Sequence, residues 1–292
     1  MFASVRQVAP SLGQAAVFGQ ARNYATLKEI QMRLKSISNI AKITKSMKMI
    51  ASTKVTKAQR AMETARVYGE SGNSLFKHIE AVEKDTAKPL VVAVSSDRGL
   101  CGGIHSSISK AVKRYVATKP EGSEIVVIGQ KARAQIQREY RKNIVFHFDQ
   151  VTKVAPLWLE ASLITDSFLA GGLEVDGGKV FYNKFKSVIA YEANSIPIYS
   201  VESIQNAPKL AAYEQDDEIL RNFSEFTLAN SIFWGIAEGY ASEMSAKRTA
   251  MENATKNAGE MITKLTLTYN RSRQAAITNE LIDIITGASS LN

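Results

Sequence analysis

The sequence predicts an α/β fold in which a long antiparallel coiled coil of N- and C-terminal helices carries an inserted α/β domain. Three observations carry this reading. From Thr26 to Tyr68 run 43 residues without glycine or proline. From Leu210 to the end there is no proline. Between them, roughly 88–205, short apolar runs are broken by glycine, so the chain reads helix, mixed domain, helix. The expected boundaries are 1–24 for a leader, 25–70 for the first long helix, 71–208 for the α/β domain with its connections, and 209–292 for the last helix with an overhanging tip.

The first 24 residues contain Arg6 and Arg22, no Asp or Glu, and many small residues. That composition fits a mitochondrial transit peptide. RNYA, Arg22–Ala25, resembles a matrix processing site and places the mature start at Ala25 or Thr26. The chain of 292 residues has a formal charge of +9 and an apolar content of 45%, enough for a real core in part of its length. Its single cysteine, Cys101, permits no internal disulfide and no cysteine-rich metal site. His78, His105 and His147 are scattered and form no ligand cluster. No run of eighteen apolar residues occurs, so no membrane span is expected.

The first helix is basic on nearly every side. At 100° per residue, Lys42, Lys45, Lys48, Lys54, Lys57 and Arg60 wind around the axis and avoid one edge. That edge holds Ile37, Ile40, Thr44, Met47, Ala51, Val55, Ala58, Met62 and Ala65, a heptad seam with one four-residue stutter. Such a helix buries a strip and not a broad face.

In the middle block PLVVAVSS (89–96), EIVVIG (124–129) and NIVFHF (143–148) read as strands. GIHSSISKAVKRYVAT (103–118) and KARAQIQREY (131–140) read as helices, and Pro156 opens a further apolar helix. KVFYNKFKSVIAYEA (179–193) and IPIYSV (196–201) complete the strands. The alternation argues for a largely parallel, Rossmann-like sheet with helices on its faces. The order of the last two strands is not readable.

The last helix has an unbroken four-three alternation from Ile219 to Thr286, with Phe226, Phe233, Ala237, Met244 and Met251 among its apolar positions. About 77 helical residues would span ~115 Å, against a radius of gyration of only ~19 Å for a compact chain of this size. The simplest partner for each seam is the other. With residues near 68 beside residues near 210, Thr26 falls near 253, and about thirty-three residues overhang without an internal partner. Isolated helices are marginal in water, so this thin apolar stripe (Ala258, Met261, Leu265, Ala275 and Ile282), interrupted by small and polar residues, calls for a loose external sleeve; a frayed tail or a homodimer is the alternative.

The residues now named resemble one family. ATLKEIQMRLKSISNIAKITKSMKMIASTK is similar to the start of the mature gamma subunit of the rotary F-type ATP synthase, SSDRGLCGGIHSSI (95–108) to its internal block, and ITNELIDIITGASSL (277–291) to its C-terminal signature. ITKSMKM with His105 resembles the mitochondrial branch. The resemblance covers essentially the whole mature chain. It implies a central rotor shaft and no catalytic, cofactor or metal site of its own. It also implies three kinds of partner: a hexamer of catalytic and noncatalytic ATP synthase subunits, the membrane rotor ring, and small central-stalk subunits (delta and epsilon). The implied location is the mitochondrial inner membrane, peripheral on the matrix side. By position, Met47 with Lys45 and Lys48 matches the stretch facing an acidic loop of a catalytic subunit, and Arg273, Gln274 and Thr278 match tip residues that meet the ring.

Other motifs carry less. DRGLCGGI follows a strand and precedes a helix, but it lacks both phosphate-loop glycine patterns. Asp97 and Arg98 read as a local pair or a partner contact, Cys101 as a buried small residue, and Glu280 with Asp283 as an incomplete acid–base pair. A basic coiled-coil nucleic-acid binder is the rival reading from another class. Against it, the lysines encircle the helix, and the segment from Lys209 onward holds 8 basic and 11 acidic residues. A stationary scaffold is the second alternative.

Overall fold

A computed structural model describes residues 26–290, apart from 85, 87, 120, 121, 152–154, 174, 214 and 215. The leader expected over 1–24 lies outside the described residues. The chain divides into two compact units: Ser38–Met261, and the terminal segments up to Ile37 and from Ile262.

Helix α1 spans Leu27–Gly72. A reciprocal capping box starts it: the Thr26 amide donates to Glu29 Oε2 at 2.8 Å, and the Glu29 amide donates to Thr26 Oγ1 at 3.3 Å. After the short α2 (Ser74–His78) come β1 (Leu90–Val94), α3 (Ile104–Val116), β2 (Glu124–Ile128), α4 (Gln130–Tyr140), β3 (Ile144–Phe148) and α5 (Trp158–Ala170). Then follow β4 (Gly178–Ser187), β5 (Ala190–Ile198), the short α6 (Val201–Gln205) and α7 (Asp217–Ser289). The C-terminal helix therefore starts at Asp217 and not near Lys209.

The sheet has the order β3-β2-β1-β4-β5, parallel except for β5, which is antiparallel to β4. Its side chains alternate between two cores. Val91, Ala93, Ile125 and Val127 pack under α3 and α4. Val92, Val94, Val126, Ile128, Val180 and Tyr182 pack under α5 and α7. The strands expected over 179–193 and 196–201 are instead one hairpin that turns at Val188 and Ile189. The turn carries no glycine or proline, so its apolar letters read as continuous strand, yet Ile189 is 80% exposed. Ser200 then caps α6, accepting from the Ser203 amide at 3.1 Å.

Residues 227–246 of α7 are enclosed on almost all sides. Leu228, Ile232 and Ile236 enter the sheet core, while Tyr240, Ala241 and Met244 meet Val55, Ala58 and Met62 of α1. Close approach demands small residues here. A Cβ at Gly69 would lie 2.7 Å from the Trp234 side chain. Glu238, fully buried, joins three elements. It accepts from Arg66 Nε of α1 at 2.6 Å, from the Phe185 amide of β4 at 2.8 Å and from Trp234 Nε1 at 3.2 Å.

The pairing of the helices differs from the expected one. Asn230 Nδ2 donates to the Tyr68 carbonyl, Lys48 pairs with Glu252, and the Thr255 hydroxyl donates to Thr44. Tyr68 thus meets α7 some twenty residues beyond the expected 210, because the first turns of α7 are used along the domain. In the seam itself, Ala51, Val55, Ala58, Met62, Ala237, Met244 and Met251 are buried. Ile40 is not: it is 48% exposed, and Ala41 faces inward in its place. The enclosed positions of α1 run 30, 34, 37, 41, 44, 48, 51, 55, 58, 62, 65, 69 and 72, a regular four-three alternation without a stutter. The exposed Ile40 falls outside this alternation, and Met47 is half-buried beside it, as Lys48 is within it. Small residues let the helix backbones approach, and the bulky ones are left on the flank. In α7 Met261 is exposed and 262 is half-buried in its place, while 254 and 255 are both half-buried. Phe226 is an edge residue, against Tyr68 and Trp158, and Phe233 is half-buried beside the sheet core.

Two substitutions test this packing. Glu238→Ala leaves Arg66 Nε, the Phe185 amide and Trp234 Nε1 without this acceptor, while Arg66 Nη2 keeps the Phe185 carbonyl at 3.1 Å. It is expected to cost about 3 kcal/mol in urea unfolding, near the low end for breaking a buried pair because Arg66 is partly exposed. Ala237→Pro removes a backbone hydrogen bond in the enclosed stretch and is expected to cost ~3 kcal/mol or more. Soluble, normally stable protein would contradict the second expectation.

Candidate functional site

Ligand crevices of such sheets lie outside the strand ends where the order reverses, here between β1 and β4. That place is filled by the protein itself. Glu243 and Tyr240 of α7 sit over Ser95, Ser96 and His105, leaving only ≈ 10 Å³. The β1–α3 loop is held by Asp97, whose oxygens accept from the Gln130 amide at 2.7 Å and the Gln150 amide at 2.5 Å. Its role is to tie the loops after β1, β2 and β3 together. Leu100 and Gly102 take positive φ of 65° and 64°, which closes the turn.

His105 receives a hydrogen bond from Ser95 Oγ at Nδ1 (2.8 Å), and its Nε2 lies 2.8 Å from the Arg98 carbonyl. A carbonyl only accepts, so Nε2 carries a proton, and burial lowers the pKa of the ring. Cys101 is buried beside it and burial pushes the thiol up to about 11. A thiol in that state is a packing group and not a nucleophile. Glu243 is buried with neither oxygen in a hydrogen bond of standard geometry. Burial raises its pKa, against the pull of the nearby Ser96 hydroxyl, Arg98 and Lys247.

The surfaces are more informative than this interior. Lys42, Lys45, Lys54, Lys57 and Arg60 are exposed, and Met47 is half-buried. Lys48 differs from the expected free cation: it lies at the seam margin, its Nζ 2.6 Å from Glu252. Ile40, Ile43 and Ile50 are exposed and, with Met47, form a ridge at spacings three, four and three beside the seam. Reading the helix as having one apolar edge missed this second one, although the spacing was there to find.

In the unit that contains the chain end, Ile30 and Ile37 are buried and α7 stays half-buried at 262, 265, 269, 272 and 276. From 277 to 290 every residue is exposed. The bare tip is therefore about 14 residues, ~20 Å of helix, and not thirty-three. Arg273, Gln274 and Thr278 are exposed at its base. Five large aliphatics, Ile277, Leu281, Ile282, Ile284 and Ile285, are 50–67% exposed. Among the described residues no helix is long and apolar enough to cross a membrane, and no cluster of metal-ligating side chains occurs.

If burial holds a proton on Glu243 in the fold, the unfolded chain releases it near 4.5 while the folded one releases it at higher pH. Its contribution to stability is then complete below about 4.5 and is lost as pH rises through the folded value. Glu243→Gln is expected to flatten the pH dependence of Tm on that side and to raise Tm at neutral pH; an unchanged slope would contradict it.

Comparison with known proteins identifies the family. The family model described as ATP synthase matches residues 26–291. The mitochondrial ATP synthase subunit gamma of Pichia angusta is 50% identical over 271 residues, covering 92% of this chain and all of that one. That of Yarrowia lipolytica is 48% identical over 277 residues, 94% of each. The gamma subunit of the Rattus norvegicus complex is 45% identical over 273 residues, with 92% and 100% covered. The fold recurs in the cryo-EM structure of Euglena gracilis mitochondrial ATP synthase in rotational state 3. There the TM-score is 0.75 at 18% identity, over 91% of this chain and 94% of that one. The chain belongs to the ATP synthase gamma-subunit family.

Proposed function

We propose that this member of the ATP synthase gamma family is the central rotor shaft of the mitochondrial enzyme. It is a non-catalytic subunit that turns inside the hexamer of catalytic and noncatalytic subunits. The observation that carries the reading is the bare tip. Five large aliphatics stand half or more exposed over about two and a half turns of helix, and fully burying such a side chain from full exposure is worth about 1.5–3 kcal/mol. A surrounding sleeve of protein supplies that cover. Gln274, Thr278, Leu281 and Ile285 follow at spacings four, three and four along one side of the tip, so polar and apolar contacts alternate there. Contacts of this kind hold a shaft laterally without gripping it.

Lower down, Lys45 is exposed on the side of α1 opposite the Ile40–Ile50 ridge, to which the half-buried Met47 belongs. An exposed lysine suits an acidic loop, and charge of this kind sets approach and register more than affinity. Rotation driven from the membrane ring enters through the α/β domain, with the small stalk subunits delta and epsilon beside it, and passes to α7 through residues 227–246. The ring of catalytic subunits then meets a different side of an asymmetric shaft at each angle and is forced through its open and closed states. The leader over 1–24 directs the chain to the mitochondrion and is cut near Ala25. The working position is on the matrix side of the inner membrane, peripheral to the bilayer.

Lys45→Cys, joined by a disulfide to a cysteine placed in a catalytic subunit, tests rotation. Cys101 does not compete, because its thiol is buried. ATP-driven proton pumping is expected to stop on oxidation and to return on reduction. Undiminished pumping with the link intact would make the chain a stationary scaffold. Lys45→Glu is expected to lower coupling efficiency while the purified complex keeps its full subunit content. Lys48→Glu also breaks the Glu252 pair, so it is expected to affect assembly as well.

A further inference from the structure

The sheet ends on β3, and among the described residues nothing pairs with its outer side. An edge strand presents unpaired N–H and C=O groups to any extended chain. This one is also incompletely covered. Phe146 and Phe148 reach the core on the α5 side yet are only half-buried, and Val145 is 48% exposed. On the α4 side an open cleft of ≈ 540 Å³ runs along the strand, walled by Arg133, Gln137, Arg138 and Arg141. No carboxylate lines it. The only acid of α4, Glu139, turns away to Lys113 at 2.5 Å. Arg133 Nη1 lies 2.8 Å from His147 Nε2 and donates to it, so that ring nitrogen accepts and adds no charge at this contact.

Three guanidinium groups therefore share one cleft with no counter-charge, beside a bare strand whose two faces differ. We propose that β3 receives an extended segment of another protein as a sixth strand. Its carboxylates would face Arg133, Arg138 and Arg141, and its alternate apolar residues would cover Phe146 and Phe148. Guanidinium forks match carboxylates in pairs, and main-chain pairing to an edge supplies affinity while alternate side chains supply specificity. The opposite edge, β5, has no such arginine wall. The inference deepens the reading of the chain as a rotor subunit: it gives the α/β domain a partner of defined chemistry, bound along the sheet and not on the shaft.

The test uses the assembled ATP synthase with the photoreactive residue p-benzoylphenylalanine at position 145, where the side chain is exposed, and at position 285 of the tip as a control. Irradiation is expected to join position 145 to a segment of a neighbouring subunit in which acidic and apolar residues alternate. Adduct yield should fall at least about tenfold in the Arg138→Glu/Arg141→Glu double variant, with the position 285 adduct unchanged. A lipid adduct, an adduct to a segment without acids, or none at 145 while 285 still reacts would overturn the proposal and leave the arginines as guards that keep the edge bare. Loss of both adducts would overturn the rotor reading along with it.

Discussion

One carboxylate fixes how the parts of this chain meet. Glu238 lies in the middle of the enclosed stretch of α7 and accepts from α1, from β4 and from Trp234 at once. Around it, α7 serves as a layer of the α/β domain on one side and as half of a helix pair on the other. No linker separates the domain from the pair, because the same twenty residues belong to both. Hydroxyls of α7 add to this: Ser242 donates to the Asn183 carbonyl at 3.0 Å, and Ser245 donates to the Val188 carbonyl at the hairpin turn. A twist applied to the sheet must therefore reach the helix directly. That is the mechanical property a shaft needs where it is driven.

The same packing explains where surface has been left over. Small residues line the inner side of α1 (Ala41, Ala51, Ala58, Ala65 and Gly69), so the backbones come close and bulky Ile40, Ile43 and Ile50 are pushed to the flank. At the tip, α7 outlasts its partner among the described residues, and its aliphatics stay exposed. Both are apolar surfaces left in water, and the proposed shaft would meet other subunits along them. The ligand crevice of the domain has gone the other way, since α7 occupies it with Tyr240 and Glu243. The crevice end of the sheet thus serves here as a mounting for a helix.

Much of this was legible in the residues. The three-block order, the strand–helix alternation and the two seams follow from period and from the placement of glycine and proline. What was not legible has physical reasons. Ile40 and Ala41 are both compatible with a heptad, and only the closeness of the two backbones decides between them. The turn at Val188–Ile189 has no breaker residue to announce it. Strand order in a parallel sheet depends on which face each crossover takes. Arg66 and Glu238 are 172 positions apart, and no local pattern joins them. One signal was available and unused: Ser231, Gly235, Gly239, Ser242 and Ser245 follow at spacings four, four, three and three and so line one side of α7 with small residues. A helix small along one side is one approached closely there. A Cβ on Gly235 would meet Val94, Tyr182 and Val180 at 3.4–3.5 Å.

The central claim is that α7 is one helix with two opposite fates, locked at 227–246 and bare at 277–289. Amide hydrogen exchange read residue by residue along α7 tests it most directly, in the isolated chain and in the assembled enzyme. The account predicts that 227–246 exchange only through global unfolding in both states, whereas 277–289 exchange rapidly in isolation and become protected on assembly. Equal protection of the two segments in the isolated chain, or a tip that exchanges as fast inside the enzyme as outside it, would contradict it.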